Sequence, residues 1–205
     1  MIKNVIFDIG RVIVSFEPVQ ALYDELGDMD EALRLKPIIF SELWGECDYG
    51  HITLEEQIEL TVQRSPEDEK FIRHFLTTRI NMFHLIESTR DVIYDLKKAG
   101  VDIYYLSDTS FDVIAGLKEK FEFFEFFKGG VISCAEKAIK RNEDLKIFKV
   151  FIDRFGVDPS ECVFIDDTEI NVINAQKAGF NIIHLTDPSI MRPELLKFQG
   201  LEDRL

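Results

Sequence analysis

Apolar residues in this chain follow two patterns. Short unbroken runs recur along it, among them Val5-Ile6-Phe7, Ile103-Tyr104-Tyr105-Leu106 and Cys162-Val163-Phe164-Ile165. Runs this short, rich in β-branched and aromatic residues, mark strands buried on both faces. Strands are expected at residues 3–8, 101–106, 131–133, 162–166 and 181–185. Elsewhere apolar residues recur every three or four positions, the period of a helix with one buried face. Residues 88–99 put Val92, Ile93 and Leu96 on one side and stop at Gly100. Residues 143–155 do the same with Leu145, Phe148, Phe151 and Ile152, and further helices are expected at 111–120 and 169–178. Strands alternating with helices predict an α/β fold with a doubly wound parallel sheet.

Residues 15–85 break the alternation. From Pro18 onward Val19, Leu22, Tyr23 and Leu26 share one helical face, and Gly27 suits its end. Residues 30–45 and 54–64 also read as helices. Thr53, with Glu56 three positions later, forms a capping box for the second of these. Ser65-Pro66 opens another helix through Phe71, Ile72 and Phe75, with proline at its first position. No convincing strand lies in this stretch, so a helical insert is expected after the first strand. The phenylalanines of 121–127 read as core filler and a seam between the helical insert and the core.

Charge narrows the partners. The chain has 38 acidic and 24 basic residues, a net charge of −14. Nucleic-acid phosphates and anionic membranes should repel it. No apolar run approaches the roughly 18 residues of a membrane span. Met1-Ile2-Lys3 runs straight into the first strand, so no signal peptide is expected. Cys47, Cys134 and Cys162 make neither a zinc pattern nor a disulfide framework, which suits a reducing cytoplasm.

The chemistry gathers at strand ends. Asp8 leaves the first strand at the sheet edge where open α/β sheets bind ligands, and Gly10 lets the backbone approach a ligand closely. Cys162-Val163-Phe164-Ile165-Asp166-Asp167 repeats the arrangement. Those acids meet only if the two strands are parallel neighbours. Clustered carboxylates then repel unless a cation sits among them. A hard, all-oxygen set suits Mg²⁺, which takes a few carboxylates, waters and a substrate phosphate.

Phe7-Asp8-Ile9-Gly10-Arg11-Val12 resembles the first motif of the haloacid dehalogenase (HAD) superfamily. Leu106-Ser107-Asp108-Thr109 resembles its second motif and Asp166-Asp167-Thr168-Glu169-Ile170-Asn171 its fourth. The opening is most similar to the capped branch beginning Asp-Leu-Gly-Asn-Val, which includes sugar-phosphate phosphatases. It also resembles the phosphatase domain attached to some epoxide hydrolases. The resemblance implies a Rossmann-like core of residues 1–14 and 86–205, with 15–85 as a helical cap. It implies Asp8 as a nucleophile that forms an aspartyl-phosphate. Mg²⁺ would be held by Asp8, the main-chain carbonyl of Gly10 and Asp167, four residues before Asn171. Asp166 would support these ligands from behind. Ser107, Asp108 and Asn171 would bind substrate.

The third motif requires a lysine about seven residues after a strand serine. Counting from Ser133 reaches Lys140, followed by Arg141 where proline is usual; Lys137 is the fallback. Gly10 is the second departure. Most phosphatases of the superfamily carry there an Asp that protonates the leaving group, and losing such a group costs roughly 10²- to 10⁴-fold in rate. A sugar 1-phosphate or another good leaving group tolerates that loss. His51 and Glu46, in the segment 44–51 that resembles the cap loop, are candidate replacements, although a surface histidine is the plainer reading. The expected activity is Mg²⁺-dependent hydrolysis of a small phosphorylated metabolite by a monomer or homodimer. Two readings stay open. One is a catalytically impaired relative that binds a phosphorylated ligand or partner. The other is a carbon–halogen hydrolase, which needs no metal and leaves Asp166-Asp167 without a use.

Overall fold

In the computed structural model, which describes residues 1–202, strand β1 (Asn4–Phe7) is buried throughout and central. Five helices follow it: α1 (Pro18–Leu26), α2 (Met29–Ile39), α3 (Glu42–Tyr49), α4 (Leu54–Arg64) and α5 (Glu69–Thr77). The alternating part comes next, as α6 (Glu87–Lys98), β2 (Asp102–Ser107), α7 (Phe111–Lys120), β3 (Gly129–Ile132), α8 (Ser133–Glu136) and α9 (Lys146–Phe155). It ends with β4 (Cys162–Asp166), α10 (Glu169–Lys177), β5 (Asn181–His184) and α11 (Met191–Leu195). All pairings are parallel and the sheet order is β3-β2-β1-β4-β5. This is the expected Rossmann-like α/β sheet with a helical insertion.

Side chains of β1 alternate between two apolar layers, as the two-residue period of a strand requires. Val5 and Phe7 face a layer with Val92, Ile93, Leu96, Val113 and Leu117 from α6 and α7. Ile6 faces the other, with Ile147, Phe148 and Phe151 of α9 and Ala175 of α10. Fully burying a side chain the size of Phe7 or Phe164 is worth about 1.5–3 kcal/mol, so these layers fix the strand register firmly. Phe7 pairs with Tyr105 on one side and Ile165 on the other. The ends of β1, β2 and β4 therefore lie side by side.

Several boundaries differ from the sequence reading, each for a local reason. The helix expected over 30–45 is two helices, because the chain leaves α2 at Phe40 and Ser41 adopts an extended conformation. Pro66–Asp68 is a single 3₁₀ turn ahead of α5. The helix expected from 143 starts at Lys146, after Leu145 in the left-handed region at φ 56°. β3 lies earlier than expected and Ser133 opens α8. Gly130 within β3 has the Tyr105 ring where a side chain would start. The capping box at Thr53 is present, with Glu56 N–H donating to the Thr53 hydroxyl at 3.1 Å and Thr53 N–H donating to the Glu56 carboxylate at 2.8 Å. Of the phenylalanine cluster, Phe123, Phe124 and Phe127 are buried, and Phe127 packs edge-on to Phe7 with ring centres 6.0 Å apart.

Candidate active site

Three carboxylates meet because two neighbouring parallel strands, β1 and β4, end together. Asp8 follows β1 and its N–H donates to the Ile165 carbonyl at 2.8 Å, extending the β1–β4 ladder by one residue. Asp166 ends β4 and Asp167 starts the turn into α10. Carboxylate oxygens of Asp8, Asp166 and Asp167 all lie within 4.8 Å of one another.

A buried lysine threads the cluster. Lys140 Nζ stands 2.7 Å from Asp8 Oδ1 and 2.6 Å from Asp166 Oδ2, with its side chain 2 % exposed. Its backbone is held as well. Lys140 N–H donates to the Asp108 carboxylate at 3.1 Å, and its carbonyl accepts from Asn174 Nδ2 at 3.1 Å. Burial alone would lower the pKa of this ammonium, but Asp8, Asp166 and Asp108 outweigh it and hold it above its usual value. Burial first, then Asp166, push Asp8 up to about 7, against the pull of Lys140 and of the Ser107 hydroxyl bonded to it.

The three acids differ in what they have left to give. Asp166 is saturated by Lys140, by Thr168 N–H at 2.8 Å and by Asn171 Nδ2 at 3.0 and 3.1 Å. Among the described residues, the Asp167 carboxylate accepts a single 3.2 Å bond, from the Thr168 hydroxyl, and Arg11 approaches it only to 3.6 Å. One lysine among three acids leaves the cluster negative. Asp8 and Asp167 are the pair whose oxygens fit a hard divalent cation, and Asp166 serves Lys140.

These groups floor a cavity of about 390 Å³. Asp8, Gly10, Ser107, Asp108, Lys140, Asp167 and Asn171 all line it. Asn171 does so with its amide nitrogen already donated to Asp166. Lys137 is exposed, in a left-handed conformation at the end of α8, and does not line the cavity. Apolar side chains form much of the remaining wall: Phe16 and Trp44 from the helical segment, with Phe83, Val113 and Ile170. Neither His51 nor Glu46 reaches the cavity. They pair with each other at 2.7 Å, both half exposed.

The acid that segment does contribute is Asp48, which lines the cavity. The sequence signal for it was helical spacing. Asp48 lies four residues after Trp44 on α3, so the two share a face. The stretch 44–51 read as a loop hid that relation. Arg79 was also missed. It is 2 % exposed and lies 4.8 Å from the Trp44 ring. It makes two 2.7 Å bonds to Asp112 and one of 2.7 Å to Ser110, joining the helical segment to α7.

A family model described as haloacid dehalogenase-like hydrolase matches residues 2–179. The chain belongs to that family. It is a HAD-like hydrolase. Among curated relatives it is 27% identical over 199 residues, 97% of either chain, to the sesquiterpene phosphatase astK of Aspergillus oryzae. It is also 22% identical to drimenol cyclase drtB of Aspergillus calidoustus, over 89% of this chain and 34% of that one. Among solved structures, a HAD family enzyme of Bacteroides thetaiotaomicron in complex with magnesium and inorganic phosphate superposes with a TM-score of 0.69. That match has 21% identity and covers 89% of this chain and 93% of the other. An L-2-haloacid dehalogenase of Xanthobacter autotrophicus shares the same HAD fold, with a TM-score of 0.67 at 17% identity over 89% and 76% of the two chains.

Proposed function

We propose that this hydrolase is a Mg²⁺-dependent phosphatase of a small phosphorylated metabolite, working through an aspartyl-phosphate on Asp8. Residues 1–14 and 86–205, of which 203–205 lie outside the described residues, serve as its core and 15–85 as its cap. The observation that carries the reading is the division of labour among the acids. Lys140 is fixed between Asp8 and Asp166, while Asp167 keeps its oxygens nearly free beside the nucleophile. Asp8, Asp167 and the Gly10 carbonyl are the ligands we assign to Mg²⁺. When bound, it offsets phosphate charge and stabilises the charge that develops in phosphoryl transfer.

The chain's own groups do the rest. Asp8 attacks phosphorus, which splits one displacement into two easier ones. Lys140 holds the Asp8 carboxylate in place and balances the incoming phosphate. Ser107 and the N–H of Asp108 donate to phosphoryl oxygens. Asp166 holds Lys140 and Asn171 holds Asp166, so we give Asn171 a positioning share in substrate binding.

The substrate follows from the far wall. Phe16, Trp44, Phe83, Val113 and Ile170 offer apolar contact where the alcohol half must lie. An ester of an apolar alcohol suits that wall better than a sugar phosphate, and astK is named for such a class. The test is hydrolysis of p-nitrophenyl phosphate and of a prenyl monophosphate, with Mg²⁺ and with chelator. Turnover should require Mg²⁺ and vanish in Asp8→Asn. Equal turnover in Asp8→Asn refutes the reading. An inert wild type that Mg²⁺ and phosphate still stabilise on heating favours a binding protein.

A further inference from the structure

Breaking an alkyl phosphate ester releases an alkoxide, which must be protonated as it leaves. Position 10 offers no acid, and the space around it is open: a Cβ built on Gly10 meets nothing within 4 Å. We propose that Asp48, entering the cavity from α3, is the general acid and base of this enzyme. The inference rests on the phosphatase reading above.

Elimination within the cavity leads there. Its titratable lining residues are Asp8, Arg11, Asp48, Asp108, Lys140, Arg141 and Asp167. Asp8 is the nucleophile, and Asp167 is committed to the cation. Arginine does not give up its proton in proteins, and the acids around Lys140 hold it charged. Asp108 is occupied from behind, its two oxygens accepting the Lys140 N–H at 3.1 and 3.3 Å. Asp48 remains. It stands on the helical segment, while Asp8 sits at the end of β1. In a displacement at phosphorus the attacking and leaving oxygens lie roughly in line, so the leaving oxygen departs away from Asp8.

The position of Asp48 is fixed independently. The Ser133 hydroxyl donates to the Asp48 carbonyl. Asn142 Nδ2 donates to the hydroxyl of neighbouring Tyr49 at 3.2 Å. Gly50, at φ 81°, lies so close to the Cys134 carbonyl that a Cβ there would overlap it. Three consecutive residues are thus held against the core by Ser133 and Cys134 of α8 and by Asn142 in the stretch between α8 and α9. Placing an acid within reach of a leaving group requires such rigidity.

The surroundings keep its proton on. Burial pushes Asp48 up to about 8, against Arg79 and a hydrogen bond from the Trp44 side chain, and the carboxylates of Asp108 and Asp112 add to the rise. Cys47 and Cys134 lie nearby with their own thiols raised by burial, so both stay neutral and add no charge of their own.

The steps balance. An Asp8 oxygen forms a bond to phosphorus as the bond from phosphorus to the ester oxygen breaks, and that oxygen takes the Asp48 proton. The Asp48 carboxylate then takes a proton from water as the water oxygen attacks phosphorus. Asp8 and inorganic phosphate are released, and Asp48 is again protonated.

The test uses Asp48→Asn with Mg²⁺ and two substrates in rapid quench. p-Nitrophenolate leaves without help, so its first-turnover burst should stay within a few-fold of wild type. The first turnover of a prenyl monophosphate should fall roughly 10²- to 10⁴-fold. Asp48→Glu, which keeps the acid, should recover part of that loss. Equal slowing of both substrates, or of neither, overturns the role of Asp48 while leaving the phosphatase reading intact. A wild type that cleaves neither substrate removes the phosphatase reading itself, and this inference with it.

Discussion

Lys140 and Asp166 form an ion pair 2.6 Å long with the two side chains 2 % and 0 % exposed. A pair so deeply buried gains from its Coulomb attraction only while every lone pair and proton is matched. Here they are matched, since Thr168 and Asn171 fill the remaining acceptor sites of Asp166. Asp8 gives the ammonium its second anion.

Lys140→Met should therefore cost stability as well as activity. It leaves Asp166 and Asp8 facing each other without the ammonium between them. Breaking one partner of a buried pair typically costs about 3–5 kcal/mol. Urea unfolding of Lys140→Met against wild type measures this. A loss below about 1 kcal/mol, the scale of an exposed pair, contradicts the burial argument.

The two adjacent acids of β4 should part company in a thermal shift experiment. Asp167 makes few protein contacts, so Asp167→Asn should keep the wild-type melting temperature and lose the stabilisation given by Mg²⁺. At 100 times its Kd a ligand contributes about 2.7 kcal/mol, so the lost signal is large. Asp166→Asn should melt early even without metal, because it removes one of the two carboxylates paired with the buried Lys140 ammonium. The opposite assignment of the two phenotypes would exchange their roles.

Much of this arrangement was legible in the sequence, and the physics explains which part. Strands buried on both faces announce themselves as apolar runs, and Asp8 and Asp166-Asp167 stand at their ends. Counting from Ser133 singles out Lys140, which is the lysine that meets Asp8. What remained hidden depends on contacts distant in sequence. Nothing local shows that Arg79 pairs with Asp112 across 33 residues. The break between α2 and α3 at Phe40 and Ser41 carries neither glycine nor proline. Asp48 looked like one acid among 38, because the contacts that fix its stretch of chain come from Ser133, Cys134 and Asn142, nearly a hundred residues on.

Asp48 should leave a signature in the pH dependence of stability. Its carboxyl is raised from 3.8 to about 8 in the folded chain. Below pH 4 it is protonated in both folded and unfolded states and contributes nothing to the difference. Between about 4 and 8 the folded chain holds a proton that the unfolded chain releases, so stability falls as pH rises. Above 8 both states are ionised and the loss is complete. Asp48→Asn removes this slope. Its melting temperature should match wild type near pH 4 and exceed it at pH 8, the gap widening with each pH unit between. Parallel melting curves for the two proteins across this range would mean Asp48 is not desolvated.

Gly10→Asp should return an acid to the place where it is usual in the family. The backbone at Gly10 does not have positive φ and the space beside it is open, so an L side chain fits without strain. The single variant should fold with nearly wild-type stability. Combined with Asp48→Asn, it should restore at least about a tenth of the lost prenyl phosphate cleavage, because a carboxyl two residues from Asp8 reaches the same leaving oxygen. The double variant thereby separates proton donation from cap geometry. A defect in cap docking caused by Asp48→Asn is not repaired by an acid on the β1 loop, whereas a missing proton is. Recovery of the alkyl substrate, with no change in the p-nitrophenolate burst, is the expected result. Failure to recover in a double variant that folds and still releases the burst would place the function of Asp48 in holding the cap.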